Sequence, residues 1–245
     1  MSDHLVYGLH AVQALLKSAP QRIEQLLLLK GRNDQRLQKL RLSAEKNNIA
    51  ISVLSRADLD RQVEGNHQGV IAKTQANTAV YDEAFLRDAV TNLSGNPFIL
   101  VLDGVTDPHN LGACLRSAEA AGVHWVIVPK DNSAGLSPTA VKVACGAAEV
   151  LPLVSVTNLS RTLKWLQEQG VWVIGAAGEA QQHHTEADLK GPLALVMGAE
   201  GKGMRRLTRE CCDSLIRIPM AGEVSSLNVS VATGVCLFEA LRQRS

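Results

Sequence analysis

The sequence predicts an α/β protein in two parts: a small N-terminal α/β domain, then a larger domain built on a parallel sheet. Three observations carry this expectation. Short apolar runs alternate with helix-length amphipathic stretches along most of the chain. From Phe98 onward those runs are nearly continuous, as strands covered by helices on both faces require. Residues 76–96 interrupt the pattern with polar and turn-forming residues, so the domains are expected at 1–75 and 97–245 with a linker between them.

In the first part, Gly8 to Ser18 carries Leu9, Val12, Leu15 and Leu16 at helical spacing. Gln25 to Leu29 is an apolar run closed by Lys30-Gly31 and reads as a buried strand. Asp34 to Asn48 is a helix, Ile49 to Leu54 a strand, Arg56 to Val63 a short helix and Gly69 to Lys73 a last strand. The linker has room for a helix over Glu83 to Val90. In the second part, strands are expected at Phe98–Leu102, Trp125–Val128, Leu151–Val156, Val171–Ile174, Leu193–Val196 and Leu215–Ile218. Helices are expected at Leu111–Ala121, Thr139–Ala148, Leu159–Glu168 and Met204–Cys211, with a long closing helix over Leu227–Arg242.

Composition narrows the class. With 46% hydrophobic and 20% charged residues, the chain has ordinary material for a core. No apolar run approaches the roughly 20 residues of a membrane span, and the start lacks a secretion-signal layout, so a cytoplasmic protein is expected. The five cysteines are odd in number and show no C-x-x-C spacing; they read as reduced, packed thiols. The histidines form no i, i+4 pair on a helix, so no metal site is expected. Residues 1–75 hold 11 Lys and Arg against 7 Asp and Glu, and the rest 14 against 17. A basic front on a mildly acidic body fits an RNA-docking module joined to a catalytic one, though random surface charge fits as well.

Three segments carry chemistry. The first, Asp103 to Gly112 with the following Ala113 to Ala118, leaves a buried strand and opens a helix, which places it at the carboxyl edge of the sheet. Arg116, among Ala, Cys and Leu, needs an anionic partner there: a ligand, or a salt bridge to Asp103 or Glu119. The second, Met197-Gly198-Ala199-Glu200-Gly201-Lys202-Gly203, signals tight turns and close backbone approach but matches neither a P-loop nor G-x-G-x-x-G. The third runs from Ile218-Pro219-Met220 to Ser225-Ser226-Leu227-Asn228. Ser225 or Ser226 is expected to cap the closing helix, which leaves Asn228 one step inside it, hydrogen-bonding a ligand, the first segment, or merely loop backbone.

Together these segments resemble the signature of the SPOUT superfamily, and within it the TrmH-like RNA ribose methyltransferases. Tyr7-Gly8-Leu9-His10-Ala11-Val12 and His67-Gln68-Gly69 are similar to the substrate-binding extension of the branch that modifies 23S ribosomal RNA of the large subunit, at a guanosine ribose. The resemblance implies an L30e-like N-terminal domain and a C-terminal parallel sheet tied in a trefoil knot. It also implies a homodimer with S-adenosylmethionine as cofactor; Val231, Val235, Leu237 and Phe238 of the closing helix fit a share of that contact and simple core packing equally well. Met197, Gly198, Ile218, Met220 and Leu227 would hold that cofactor, with Gly198 and Gly222 letting backbone come close. Arg116, Asn110, Glu200, Ser226 and Asn228 would form the catalytic group. The family treats the arginine as a general base; because guanidinium stays protonated, gripping phosphate and stabilising negative charge suits it better. Two other readings compete: a transfer-RNA ribose methyltransferase, disfavoured by the separate N-terminal part, and a catalytically silent RNA-binding assembly factor, disfavoured by the intact polar set.

Overall fold

The computed structural model describes residues 4–63, 65–74 and 81–245. Its contacts divide the chain into two compact units, residues 1–79 with 145–150, and residues 80–144 with 151–245. The polar stretch Ala76-Asn77-Thr78 of the expected linker lies outside the described residues.

The first unit contains β1 (His4–Tyr7), α1 (Leu9–Ser18), β2 (Ile23–Leu29), α2 (Gln35–Lys46), β3 (Ala50–Leu54), α3 (Arg56–Asp60) and β4 (Val70–Thr74). Its sheet runs β1-β4-β2-β3, with β2 and β3 parallel and the β4 pairings antiparallel. Strand β2 reads as a solid apolar run because both its faces are covered. Leu26 and Leu28 pack with Val12 and Leu15 of α1 and Leu37 and Leu40 of α2, while Leu27 packs with Leu59 and Ile71 on the other side. Strand β1 was not anticipated from the sequence; four residues at a sheet edge give too short a period.

The His67-Gln68-Gly69 motif is spent on holding loops together. Gln68 Oε1 accepts from Leu9 N at 3.1 Å, His67 Nδ1 accepts from Gly69 N at 2.9 Å, and Arg32 Nη1 donates to Gln68 O at 2.7 Å. Gly8 and Gly69 sit at φ of 94° and 78°, backbone that a side chain would strain.

The second unit begins with α4 (Glu83–Thr91). It continues through β5 (Phe98–Asp103), α5 (Pro108–Ala120), β6 (Trp125–Pro129) and α6 (Pro138–Ala144). The short α7 (Ala147–Val150) falls with the first unit. There follow β7 (Leu153–Val156), α8 (Leu159–Glu168), β8 (Trp172–Ala176), β9 (Gln182–His183), β10 (Leu193–Gly198), α9 (Arg206–Glu210), β11 (Ser214–Arg217) and α10 (Val229–Arg244). All seven strands are parallel, in the order β7-β6-β5-β10-β8-β11-β9. Strand β10 thus inserts between β5 and β8, bringing the ends of β5, β10, β8 and β11 side by side. Ile99, Val101, Val173 and Val196 share a core with Leu86 and Val90 of α4 and Leu159, Leu163 and Leu166 of α8. Helix α5 packs against α6 and α10.

Several expectations are corrected. The helix expected over Thr139–Ala148 breaks into α6 and α7 because Cys145 and Gly146 adopt φ of 52° and 96°. A Cβ on Gly146 would lie 2.5 Å from Ala11 Cα, so close packing needs glycine there. Cys145 is exposed, not packed. Leu237 is fully buried in the second unit, whereas Val231 and Phe238 are 52% and 49% exposed. Among the described residues, no helix is long and apolar enough to cross a membrane.

Candidate active site

The first motif starts at the end of β5. Asp107 caps α5, its Oδ1 accepting from His109 N at 3.0 Å, and Pro108 occupies the first turn, where its missing N–H costs nothing. The helix therefore starts ahead of Asn110, which is buried at 8% exposure. Gly112 permits the approach of α6: a Cβ there would meet Ala140 O at 2.5 Å. Arg116 is exposed, contrary to the burial inferred from its neighbours. Asp103, offered as its alternative partner, is fully buried and engaged by Arg205, accepting from the backbone N at 2.8 Å and from Nε at 2.6 Å.

The second motif is a closed turn. Ala199 N donates to Gly203 O at 3.1 Å, Gly203 N donates back to Ala199 O at 2.8 Å, and Gly201 and Gly203 take φ of 71° and 66°. A Cβ on Gly198 would sit 2.2 Å from Gly203 C and Met204 N. Gly198 is therefore demanded by the chain's own turn, the tight-turn half of what the sequence signalled. Gly222, by contrast, has open space around its Cβ position. The Asp103–Arg205 pair pins the end of this turn to β5, and Glu200 projects from it.

The third motif crosses from β11 to α10. Asn228 is the N-cap of α10, where a serine was expected to cap and Asn228 to lie inside the helix. Its Oδ1 accepts from Ser230 N at 2.9 Å and from Ser230 Oγ at 2.6 Å. Its Nδ2 donates to Asn110 Oδ1 at 3.0 Å and to Glu200 Oε1. One side chain thus joins the three motifs, and every polar atom it has is used.

Beside this cluster lies a cavity of about 510 Å³ at the ends of β8, β10 and β11, the edge where open parallel sheets bind ligands. Met197, Gly198, Ile218, Met220 and Leu227 all line it, as do Glu200 and Ser226; Asn110, Arg116 and Asn228 are not among its lining residues. The volume is that of a small-cofactor site, and apolar walls meet a charged rim. The residues present therefore fit S-adenosylmethionine, whose flat base suits the apolar side and whose amino-acid end suits the charged one. Sequence reasoning missed Glu179, Arg209 and Arg217, which also line the cavity. Glu179 follows an unremarkable Ala-Ala-Gly, and only the strand order places it here. Burial pushes the Cys114 thiol to about 11 and those of Cys212 and Cys236 to about 12, so these three stay protonated and are not nucleophiles.

The second unit thus sets a ligand-sized cavity and a polar cluster fed by three motifs at one edge of a parallel sheet, and the first unit is a separate small α/β fold. Residues 97–238 match the SpoU rRNA methylase family, and residues 5–79 match the RNA 2′-O ribose methyltransferase substrate-binding family. The chain belongs to the SpoU rRNA methylase family. It is 60% identical over 240 residues to the 23S rRNA (guanosine-2′-O-)-methyltransferase RlmB of Pseudomonas syringae pv. tomato, covering 98% of this chain and 96% of that one. The protein of the same name from Escherichia coli strain K12 is 60% identical over 244 residues, covering 99% and 100%. A crystal structure of an RNA 2′-O ribose methyltransferase superposes with a TM-score of 0.74 at 29% identity, over 98% of this chain and 88% of that one. The Streptomyces viridochromogenes methyltransferase AviRb, solved with AdoMet, shares the fold: TM-score 0.75, 24% identity, 99% and 90% covered.

Proposed function

We propose that the chain transfers the methyl group of S-adenosylmethionine to the ribose 2′-oxygen of a guanosine in 23S ribosomal RNA. The observation that carries the site is the junction of Asn110, Glu200 and Asn228 beside the cofactor cavity. The substrate follows from relatives of that name matched over nearly their whole length.

When bound, the cofactor supplies an electrophilic methyl on sulfonium; the protein's task is to aim a ribose oxygen at it and dispose of the proton. Met197, Gly198, Ile218, Met220 and Leu227 hold the cofactor. Asn110, Glu200, Ser226 and Asn228 set the position of the ribose against it. Arg116, exposed on α5, grips the target nucleotide's phosphate in a two-pronged hydrogen bond and stabilises the developing alkoxide, while that phosphate or a water accepts the proton. No metal is needed for this chemistry.

The first unit docks the RNA, as its basic excess and its family match support. A domain boundary near residue 75, a knotted C-terminal path, a cytoplasmic location and a homodimer belong to the same reading. For the dimer, the exposed Val231 and Phe238 on α10 are the supporting feature. The test is to incubate the purified protein and labelled S-adenosylmethionine with 23S RNA from cells lacking the gene, then to locate the label after digestion. Label in 2′-O-methylguanosine of 23S RNA is expected. Label in transfer RNA instead, or in a base, overturns the proposal.

A further inference from the structure

Glu179, in the loop after β8, and Arg209, on α9, form an ion pair, and both side chains line the cofactor cavity. Among the described residues it is the only ion pair with both partners in that wall. The other charged groups there are differently placed. Glu200 accepts from Asn228, Arg217 Nη2 meets His183 Nε2 at 3.2 Å, and Lys202 rides on the motif turn. Among the described residues, Glu179 and Arg209 form an ion pair with no other side chain, and their side chains are 55% and 46% exposed. Solvent screens such a pair, so it is easily exchanged for other charged partners.

S-adenosylmethionine ends in an α-ammonium and an α-carboxylate, a zwitterion whose charges mirror those of the pair. We propose that the Glu179–Arg209 pair opens to receive this end, Arg209 taking the carboxylate through its planar fork and Glu179 the ammonium. This rests on the cofactor reading of the cavity. A ribose diol is a poorer match for the pair: one carboxylate suffices for two hydroxyls, and an adjacent guanidinium would compete for it. The opened pair swaps one ion pair for two, so recognition adds charge-assisted hydrogen bonds without leaving a charge unpaired.

Titration calorimetry on the full chain tests this with two ligands. S-adenosylhomocysteine keeps the amino-acid end, and 5′-methylthioadenosine has the same nucleoside without it. Arg209→Gln and Glu179→Gln are each expected to weaken S-adenosylhomocysteine by about tenfold or more, the effect of one lost charge-assisted hydrogen bond. Affinity for 5′-methylthioadenosine should stay within about twofold of the unaltered protein, a shift too small to be a lost hydrogen bond. The doubly swapped variant Glu179→Arg with Arg209→Glu preserves the ion pair and should preserve the melting temperature, yet should not restore S-adenosylhomocysteine binding. Equal weakening of both ligands, unchanged S-adenosylhomocysteine affinity, or recovery in the swapped variant overturns the proposal. If the unaltered protein binds neither ligand, the cofactor reading falls, and this inference with it.

Discussion

Asn228 Nδ2 donates to Asn110 Oδ1 at 3.0 Å, joining the cap of the last helix to the first turn of α5 across 118 residues of sequence. The same amide reaches Glu200, while the carbonyl end of the side chain caps α10. A single residue therefore does two separable jobs, one for the helix and one for the site.

Replacing Asn228 separates them. Asn228→Asp keeps an acceptor for Ser230 N but loses both donors and sets a carboxylate against Glu200. It should retain most of the cap and still lose turnover by about a hundredfold, the scale of one lost positioning donor at a reacting centre. Asn228→Ala should lose turnover similarly and also about 1 kcal/mol of stability with the cap. Melting curves and single-turnover rates on both variants check this; an aspartate variant of near-normal rate would contradict it.

Gly198→Ala should abolish cofactor binding, whereas Gly222→Ala should leave it almost unchanged. The first Cβ would strike the backbone of Gly203 and Met204 and force the motif turn open, a clash costing more than about 1–3 kcal/mol because backbone cannot yield as a side chain does. The second enters open space. Calorimetry with S-adenosylhomocysteine distinguishes the two, and equal affinities would refute the turn's role.

Much of this was legible in the sequence, and what was not has identifiable physical causes. The six longer strands of the second unit were visible because buried parallel strands leave unbroken apolar runs. The five candidate cofactor residues line one cavity because the motifs end those strands. Long-range pairing left no local trace: nothing near Asp103 announces Arg205, and nothing near Glu179 announces Arg209. Asn228 was misplaced by one structural position because Ser225, Ser226 and Asn228 are all good caps, and the choice is made by the partners Asn110 and Glu200.

The packing of α4 sets a further expectation. Leu86 and Val90 are 1% and 9% exposed within the core of the second unit, and Glu83 accepts from Thr157 N at 3.1 Å and pairs with Arg161. A fragment beginning at residue 80 should fold, bind S-adenosylhomocysteine and methylate RNA poorly. A fragment beginning at residue 95 loses α4 and should melt far lower, since burial of Leu86 alone is worth about 2 kcal/mol. Equal melting temperatures for the two fragments would show that α4 is only a linker.

Acid should expose the hold on the last helix. Glu239 accepts from Arg242 at 2.9 and 2.8 Å and from Gln243 at 2.8 Å, and these bonds, Arg242 first, lower its carboxyl from 4.5 to about 2. A carboxyl lowered in the folded state contributes stability that is present above its unfolded value of 4.5 and lost as the pH falls toward 2. Melting temperature should therefore fall more steeply through that window in the unaltered protein than in Glu239→Gln. Parallel curves would contradict the assignment.

The most direct measurement is the 2′-O-methylguanosine content of 23S ribosomal RNA in cells lacking the gene, complemented with either the unaltered chain or Arg116→Lys. Lysine keeps the charge but not the two-pronged grip on phosphate. The account predicts that the unaltered chain restores one 2′-O-methylguanosine and that Arg116→Lys, folded and present at equal level, leaves that position essentially unmethylated. A site that stays unmethylated with the unaltered chain, or is fully methylated with Arg116→Lys, would contradict it.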